Sequence, residues 1–144
     1  MKKKILLVNG PNLNLLGGRE PDIYGSQTLE DIEAATGAFL DGHGCQLFAF
    51  QSNHEGELID FLHKNAEAEY LIINPGGLSH TSVSLRDALT GTEMPFIEVH
   101  ISNIHSRESF RHHSFLSAIA DGVIVGCGVQ GYQLAAELIV QRIT

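Results

Sequence analysis

The chain has 144 residues, of which 43% are hydrophobic and 18% charged, a composition that fits one globular domain and excludes collagen-like and low-complexity proteins. Its net charge of −8, with no basic stripe, argues against nucleic acid and anionic membranes as partners. No apolar run approaches a membrane span, no secretory leader is recognisable, and Cys45 and Cys127 form no disulfide framework, so we expect a cytoplasmic protein with two free, mostly buried thiols.

Five short apolar segments, each bounded by glycine, proline or asparagine, predict β-strands. They span residues 4–9, 45–51, 70–74, 96–101 and 123–126. Helical patterns lie between the strands, and the first begins at Thr28, whose spacing to Asp31 is that of a capping box. The second opens at residues 52–55 and has Ile59, Leu62 and Ala66 as its apolar stripe. Further helices are predicted over residues 84–89, 110–119 and 132–143.

Strands that alternate with helices predict βαβ crossovers and a parallel sheet that is covered on both faces. With five strands, the expected fold is a flavodoxin-like α/β three-layer sandwich with strand order 2-1-3-4-5, built as a single catalytic domain over residues 1–144. In such sheets ligands bind beyond the carboxyl ends of the strands. The reactive-looking residues of this chain follow strands one, three and four, so we expect them to share one crevice.

Glu98 and His100 lie two residues apart on the fourth strand, so both side chains leave the same face. A carboxylate in that position orients an imidazole and stabilises its protonated form, which makes His100 a candidate general acid. The alternative is a buried polar pair whose members only satisfy each other.

Arg19 and Tyr24 share a glycine-bearing loop after the first strand. A free phenol with a pKa of about 10 is too little ionised at neutral pH to be an efficient base, and a guanidinium within ~4–6 Å lowers that pKa by about 1–3 units. Arg111 or Arg107 could add to the effect of Arg19. The alternative is a surface loop in which Tyr24 is a packing anchor.

Neutral polar groups accompany these ionisable residues. Asn12, Asn74, His80 and the backbone at Ile101 and Ser102 suit a small polyhydroxylated ligand, with an arginine for its carboxylate. Turn formation also explains the asparagines, and both explanations can hold together.

Other chemistries find little support in the sequence. The pattern Gly126-Cys127-Gly128-Val129-Gln130-Gly131 has the dinucleotide-binding glycine spacing, but too little chain follows for the required acidic residue, which favours a tight turn with close helix–strand packing. There is no P-loop, no nucleophile elbow, no helical zinc pair and no lysine placed for a Schiff base.

Taken together, these loops resemble those of the type II 3-dehydroquinate dehydratase family, essentially from end to end. The matching segments are residues 10–17, Arg19-Glu20-Pro21, Tyr24-Gly25, Gln51-Ser52-Asn53, Asn74-Pro75-Gly76, His80-Thr81-Ser82, Arg86-Asp87-Ala88, Glu98-Val99-His100, Ser102-Asn103, Arg107-Glu108, Phe110-Arg111 and Gly131-Tyr132. The family usually has alanine, an aromatic residue and threonine where this chain has Gly77-Leu78-Ser79, so the wall beside His80 is expected to differ in shape.

The resemblance implies a lyase that removes water from 3-dehydroquinate to give 3-dehydroshikimate through an enolate, by anti elimination, in aromatic amino acid biosynthesis or quinate breakdown. It implies that Tyr24 is the base, that Arg19 keeps it ionised, that His100 oriented by Glu98 is the acid, and that Asn12 holds a water on the enolate. No cofactor or metal would be used. The residues implied to hold the substrate are Asn74, His80, Ile101, Ser102 and Arg111, with Asp87 contributed by a neighbouring subunit of a dodecamer made of trimers.

The main alternative is a non-catalytic flavodoxin-like module that binds a small ligand such as a flavin. Such a carrier needs a phosphate-binding loop after the first strand, where this chain has Pro11, which lacks a backbone donor.

Overall fold

The computed structural model describes residues 1–18, 22 and 26–144. In this part of the chain the elements follow one another as β1 (Lys3–Asn9), α1 (Leu29–Asp41), β2 (Cys45–Gln51), α2 (Glu55–Lys64), β3 (Tyr70–Asn74), α3 (Val83–Gly91), β4 (Phe96–His100), β5 (Gly122–Val125) and α4 (Gln130–Ile143). Short 3-10 turns lie in the connections, at Leu13–Leu15, Gly76–His80, Ile104–Ser106, Ser109–Arg111 and Ser117–Ile119. The strand bounds predicted from the sequence agree with these to within one residue.

The strands form one five-stranded sheet in the order β2-β1-β3-β4-β5, and every neighbouring pair is parallel. The predicted fold class and strand order are therefore confirmed. Parallel strands that are covered on both faces are almost continuously apolar. Residues 5–8 of β1 are an example, because none of their side chains is exposed.

Each face of the sheet packs against its own pair of helices. Ile5 and Leu7 belong to the core formed with α1 and α4, whereas Leu6 and Val8 belong to the core formed with α2 and α3. Because side chains alternate along a strand, residues two apart face the same helix layer. This alternation decides which layer supports each residue of the site described below.

The helix boundaries follow local signals in the sequence. Thr28 caps α1 as predicted: its hydroxyl accepts a hydrogen bond from the Asp31 backbone N–H, and the Asp31 carboxylate accepts one from the Thr28 N–H. The predicted stripe of α2 is partly wrong. The helix ends at Lys64, so Ala66 lies beyond it, and Leu58 is a fully buried residue that the predicted stripe lacked.

The helix predicted over residues 110–119 is wrong. The segment contains only the two short 3-10 turns at Ser109–Arg111 and Ser117–Ile119. Its polar groups bind elsewhere in the fold: the Phe115 N–H donates to the carbonyl of Ser79 at 2.7 Å, and the hydroxyls of Ser114 and Ser117 donate to Glu98. In a continuous helix the Phe115 N–H would donate to a carbonyl of the same helix, so its bond to Ser79 would be lost.

The two cysteines differ in their surroundings. Cys45 is buried at the start of β2, as expected, but Cys127 is exposed, so the prediction of two mostly buried thiols is wrong for it. Cys127 lies in the turn between β5 and α4, between Gly126 and Gly128, which both have positive φ. None of the helices in the described ranges is long and apolar enough to span a bilayer.

Candidate active site

A cavity of about 230 Å³ opens at the carboxyl end of the sheet. The segments that follow β1, β3 and β4 line it, which is where open parallel sheets bind their ligands. Leucines and isoleucines from residues 13–16 and 101–104 form the apolar part of its wall. Its polar side chains are those of Asn12, Asn74, His80, His100, Ser102, Arg107 and Arg111.

Glu98 and His100 form a buried pair beside this cavity. They are two residues apart on β4, so both leave the face that packs on α2 and α3. The His100 Nε2 donates to Glu98 Oε2 at 2.5 Å, with Glu98 fully buried and His100 5% exposed. This bond leaves Nδ1 as the imidazole nitrogen free to meet a ligand, because His100 lines the cavity.

Two serines complete the surroundings of Glu98. Ser114 Oγ donates to Glu98 Oε2 at 2.8 Å, and Ser117 Oγ donates to Oε1 at 2.7 Å. Burial by itself raises the pKa of the Glu98 carboxyl, but the bonds from His100 and the two serines, with the charge of His100, outweigh burial and hold the pKa below its ordinary value. Glu98 is therefore an ionised carboxylate that stabilises an imidazolium.

His80 lies next to His100 and is held in one tautomer. Its Nδ1 donates to the carbonyl of His113 at 2.8 Å, and its ring lies 6.2 Å from that of His100, centroid to centroid. Burial lowers the pKa of His80, and the charges of His100 and Arg111 lower it further against the raising effect of the bond to His113. A neutral His80 presents Nε2 as an acceptor, which suits a ligand hydroxyl.

Arg107 and Arg111 supply the positive charge of the cavity. The Arg107 Nη1 donates to Ser102 Oγ at 3.2 Å, and the Arg111 Nε donates to Glu108 Oε1 at 2.9 Å. Both guanidinium-bearing residues line the cavity, with Arg107 following one 3-10 turn and Arg111 ending the next. Guanidinium groups bind carboxylates through parallel hydrogen bonds, so this wall suits an anionic ligand.

Asn12 lies on a loop that is held tightly against the end of β3. Its φ of 73° is in the left-handed region, which asparagine tolerates better than most residues, and its N–H donates to Asn53 Oδ1 at 2.9 Å. The Gly10 N–H donates to the carbonyl of Asn74 at 2.8 Å. A Cβ at Gly10 would lie 2.4 Å from the carbonyl oxygen of Pro75, so the two loops meet at this position only because residue 10 is glycine.

The predicted site residues fall into three groups. Asn12, Asn74, His80, His100, Ile101, Ser102 and Arg111 line the cavity, and Glu98 lies directly behind His100. Asp87 is exposed on α3 and does not line the cavity of its own chain. Arg19 and Tyr24 lie outside the described residues.

Sequence reasoning missed part of the site. Arg107 appeared only as an alternative to Arg111, although its place in the same loop after the fourth strand was a usable signal. No local signal marked Ser114 and Ser117 as partners of Glu98, because the bonds that join them cross 16 and 19 residues of chain.

A buried carboxylate–imidazole pair beside two guanidinium groups, at the carboxyl end of a flavodoxin-like sheet, defines an enzyme that moves protons on a small anionic substrate. Comparison with known proteins agrees. The family model "Dehydroquinase class II" matches residues 3–140. The chain belongs to the class II dehydroquinase family.

Individual relatives match over nearly their whole length. A 3-dehydroquinate dehydratase of Herminiimonas arsenicoxydans is 57% identical over 99% of this chain and 100% of its own. A catabolic 3-dehydroquinase of Emericella nidulans is 56% identical over 95% of this chain and 90% of its own. The crystal structure of type II dehydroquinase from Propionibacterium acnes superposes with a TM-score of 0.92 and 41% identity, covering 98% of both chains. This membership favours the enzyme over the non-catalytic binding module.

Proposed function

We propose that this cavity is where the chain removes water from 3-dehydroquinate to give 3-dehydroshikimate, with His100 as the general acid and Tyr24 as the base. The observation that carries the assignment of the acid is the buried Glu98–His100 hydrogen bond of 2.5 Å at the edge of the cavity. A protonated imidazole held by a carboxylate is a proton donor suited to neutral pH.

The reaction needs one proton removed and one delivered. The ketone of the substrate acidifies the adjacent C–H, from which the base takes a proton to leave an enolate. The enolate then expels the β-hydroxyl as the acid protonates it, so a C–H and a C–O bond break, a C=C bond forms and water leaves. Electrons balance without an oxidant or reductant, and the chemistry calls for no cofactor.

The remaining polar groups bind the substrate and its charge. Arg111 pairs with the substrate carboxylate, as its position on the cavity wall favours. Neutral His80 accepts a hydrogen bond from a substrate hydroxyl, while Asn74 and the segment at Ile101 and Ser102 bind the other hydroxyls. Asn12 holds the water that stabilises the enolate oxygen.

Tyr24 and Arg19 complete the proposal through the family resemblance. The loop that carries them comes after Leu13, Leu15 and Leu16 in the sequence, and those three residues line the cavity. Arg19 stabilises the phenolate of Tyr24, and Arg111 or Arg107 adds to its effect. Loss of the phenol oxygen would leave the enzyme without its base.

Larger assemblies and cellular context form a separate part of the proposal. Asp87 reaches the substrate site of a neighbouring subunit, and its exposure on α3 is compatible with that role. The assembly is a dodecamer built as a tetramer of trimers, the protein is cytoplasmic, and residues 1–144 act as one catalytic domain. One fungal relative is named a catabolic 3-dehydroquinase. The proposed reaction therefore belongs either to aromatic amino acid biosynthesis or to quinate breakdown.

The test is the replacement of Tyr24 by phenylalanine. The protein is mixed with 3-dehydroquinate, and the ultraviolet absorbance of the conjugated enone product is followed. Tyr24→Phe is expected to abolish turnover while substrate binding, measured by calorimetry, stays near normal. Tyr70→Phe removes the same atom at the opposite end of the sheet and is expected to keep full activity. Substantial turnover by Tyr24→Phe would show that another group is the base.

A further inference from the structure

A buried hydrogen-bond chain runs behind the substrate-facing amide of Asn74. The Asn74 Nδ2 donates to the hydroxyl of Tyr132 at 2.9 Å, and that hydroxyl donates to Asn9 Oδ1 at 2.6 Å. Asn9 and Asn74 are paired neighbours at the ends of β1 and β3, while Tyr132 comes from the first turn of α4. All three side chains are at least 95% buried.

The direction of these hydrogen bonds fixes the orientation of the Asn74 amide. Asn74 Oδ1 accepts from the Gly76 N–H at 3.1 Å, so Nδ2 must face the tyrosine. Burial raises the pKa of the Tyr132 hydroxyl far above its usual value, which keeps its single proton available to Asn9. The Asn74 amide is thus held at both ends, with one Nδ2 proton and one Oδ1 lone pair left for a ligand.

A contribution to folding stability does not by itself explain this row of hydrogen bonds. The Asn9 Nδ2 is buried and has no hydrogen-bond partner among the described residues, which is a cost to folding. The position before Tyr132 is also closely packed: a Cβ on Gly131 would lie 3.2 Å from Val99 Cγ1 and 3.4 Å from Ile124 Cγ2, closer than most Cβ contacts. Gly131 is the last glycine of the pattern over residues 126–131. Its lack of a side chain favours the close approach of α4 to the sheet, at which Tyr132 reaches Asn9 and Asn74.

We propose that Tyr132 is a positioning residue for substrate binding, which acts by orienting the Asn74 amide toward the substrate. The proposal rests on the proposed function in one respect, the binding of a substrate hydroxyl by Asn74. That contact is made in the ground state and in the transition state alike, so its loss weakens substrate binding more than it slows the chemical step. Tyr132 itself touches no reacting atom.

The test compares Tyr132→Phe, Asn74→Ala and the double variant by steady-state kinetics. Tyr132→Phe is expected to raise KM about 3- to 10-fold, the effect of one misplaced hydrogen bond, with kcat kept within about twofold. If Tyr132 acts only through Asn74, the double variant has the KM of Asn74→Ala. Asn9→Leu keeps the tyrosine but removes the acceptor of its hydroxyl, so it is also expected to raise KM. It provides the test if Tyr132→Phe does not fold.

The matched control is Tyr70→Phe. Tyr70 is also buried, and its hydroxyl donates to Asp121 Oδ2 at 2.5 Å at the amino end of the sheet, so its loss lowers Tm without changing KM. A KM for Tyr132→Phe equal to that of the parent, or effects that multiply in the double variant, would overturn the proposal while leaving the proposed function intact. An unchanged KM for Asn74→Ala would instead contradict the binding role of Asn74 and this inference with it.

Discussion

Replacing Glu98 by glutamine isolates the charge of the carboxylate from its shape. The glutamine oxygen can take the place of Oε2 and accept from both His100 and Ser114, while its NH₂ group donates to Ser117, whose hydroxyl can reverse its role. Every hydrogen bond of the buried cluster then has a counterpart in the variant. Only the negative charge beside the imidazole is lost.

The size of the effect follows from the geometry of the pair. Two unit charges about 4 Å apart interact by about 4 kcal/mol at an effective dielectric constant near 20. The neutral hydrogen bond that remains offsets about 0.5–1.5 kcal/mol of this. The attraction between the two charges that the variant loses is therefore about 2.5–3.5 kcal/mol, which sets an upper bound of about 70- to 400-fold on the loss of kcat. That range overlaps the lower end of the contribution of about 10²–10⁴ typical of a general acid.

The assay is the appearance of enone absorbance, measured over a range of 3-dehydroquinate concentrations that gives both kcat and KM. We expect KM within about threefold of the parent, because the groups that bind substrate are unchanged. Glu67→Gln is the control, since Glu67 is exposed and binds Lys4 at the opposite end of the sheet. A kcat for Glu98→Gln within threefold of the parent would refute the reasoning.

Three further outcomes are expected. Arg111→Ala raises KM for 3-dehydroquinate about 10- to 100-fold, the effect of a lost charge-assisted hydrogen bond, and an unchanged KM would exclude Arg111 from carboxylate binding. The depressed pKa of Glu98 contributes stability that is present above its ordinary value of 4.5 and lost as pH falls through the native value. The Tm of the parent therefore falls more steeply than that of Glu98→Gln below pH 4.5. Gly10→Ala lowers Tm and raises KM because its Cβ meets the Pro75 carbonyl, whereas Gly56→Ala, with open space around it, keeps both or raises Tm slightly.

The sheet and its reactive edge were predictable because they depend on local patterns. Short apolar runs gave the strands to within one residue, and the two-residue spacing of Glu98 and His100 predicted that they share a face. The carboxyl-end rule for parallel sheets then predicted which loops meet. None of these steps required knowledge of contacts between distant segments.

The residues that hold the site residues in place through hydrogen bonds are distant from them in sequence, and they were not predictable. The pattern of residues 110–119 resembles an amphipathic helix, but Ser114 and Ser117 bind Glu98 and the segment takes the path those bonds require. Asn74 and Tyr132 lie 58 residues apart, and Asn9 and Tyr132 lie 123 apart. Composition and periodicity contain no information on such pairs, whose contact is set by how closely α4 approaches the sheet.

The alternation of side chains along the strands separates the acid from the binding amide. Glu98 leaves the face that packs on α2 and α3, where the serines of the β4–β5 connection reach it. The network of Asn9 and Asn74 is supported from the other layer, by Tyr132 of α4. Because the two supports share no residue and lie on opposite faces, changes in them should combine independently. Glu98→Gln should lower kcat, Tyr132→Phe should raise KM, and the double variant should show both effects in full, which a shared loss of packing would not produce.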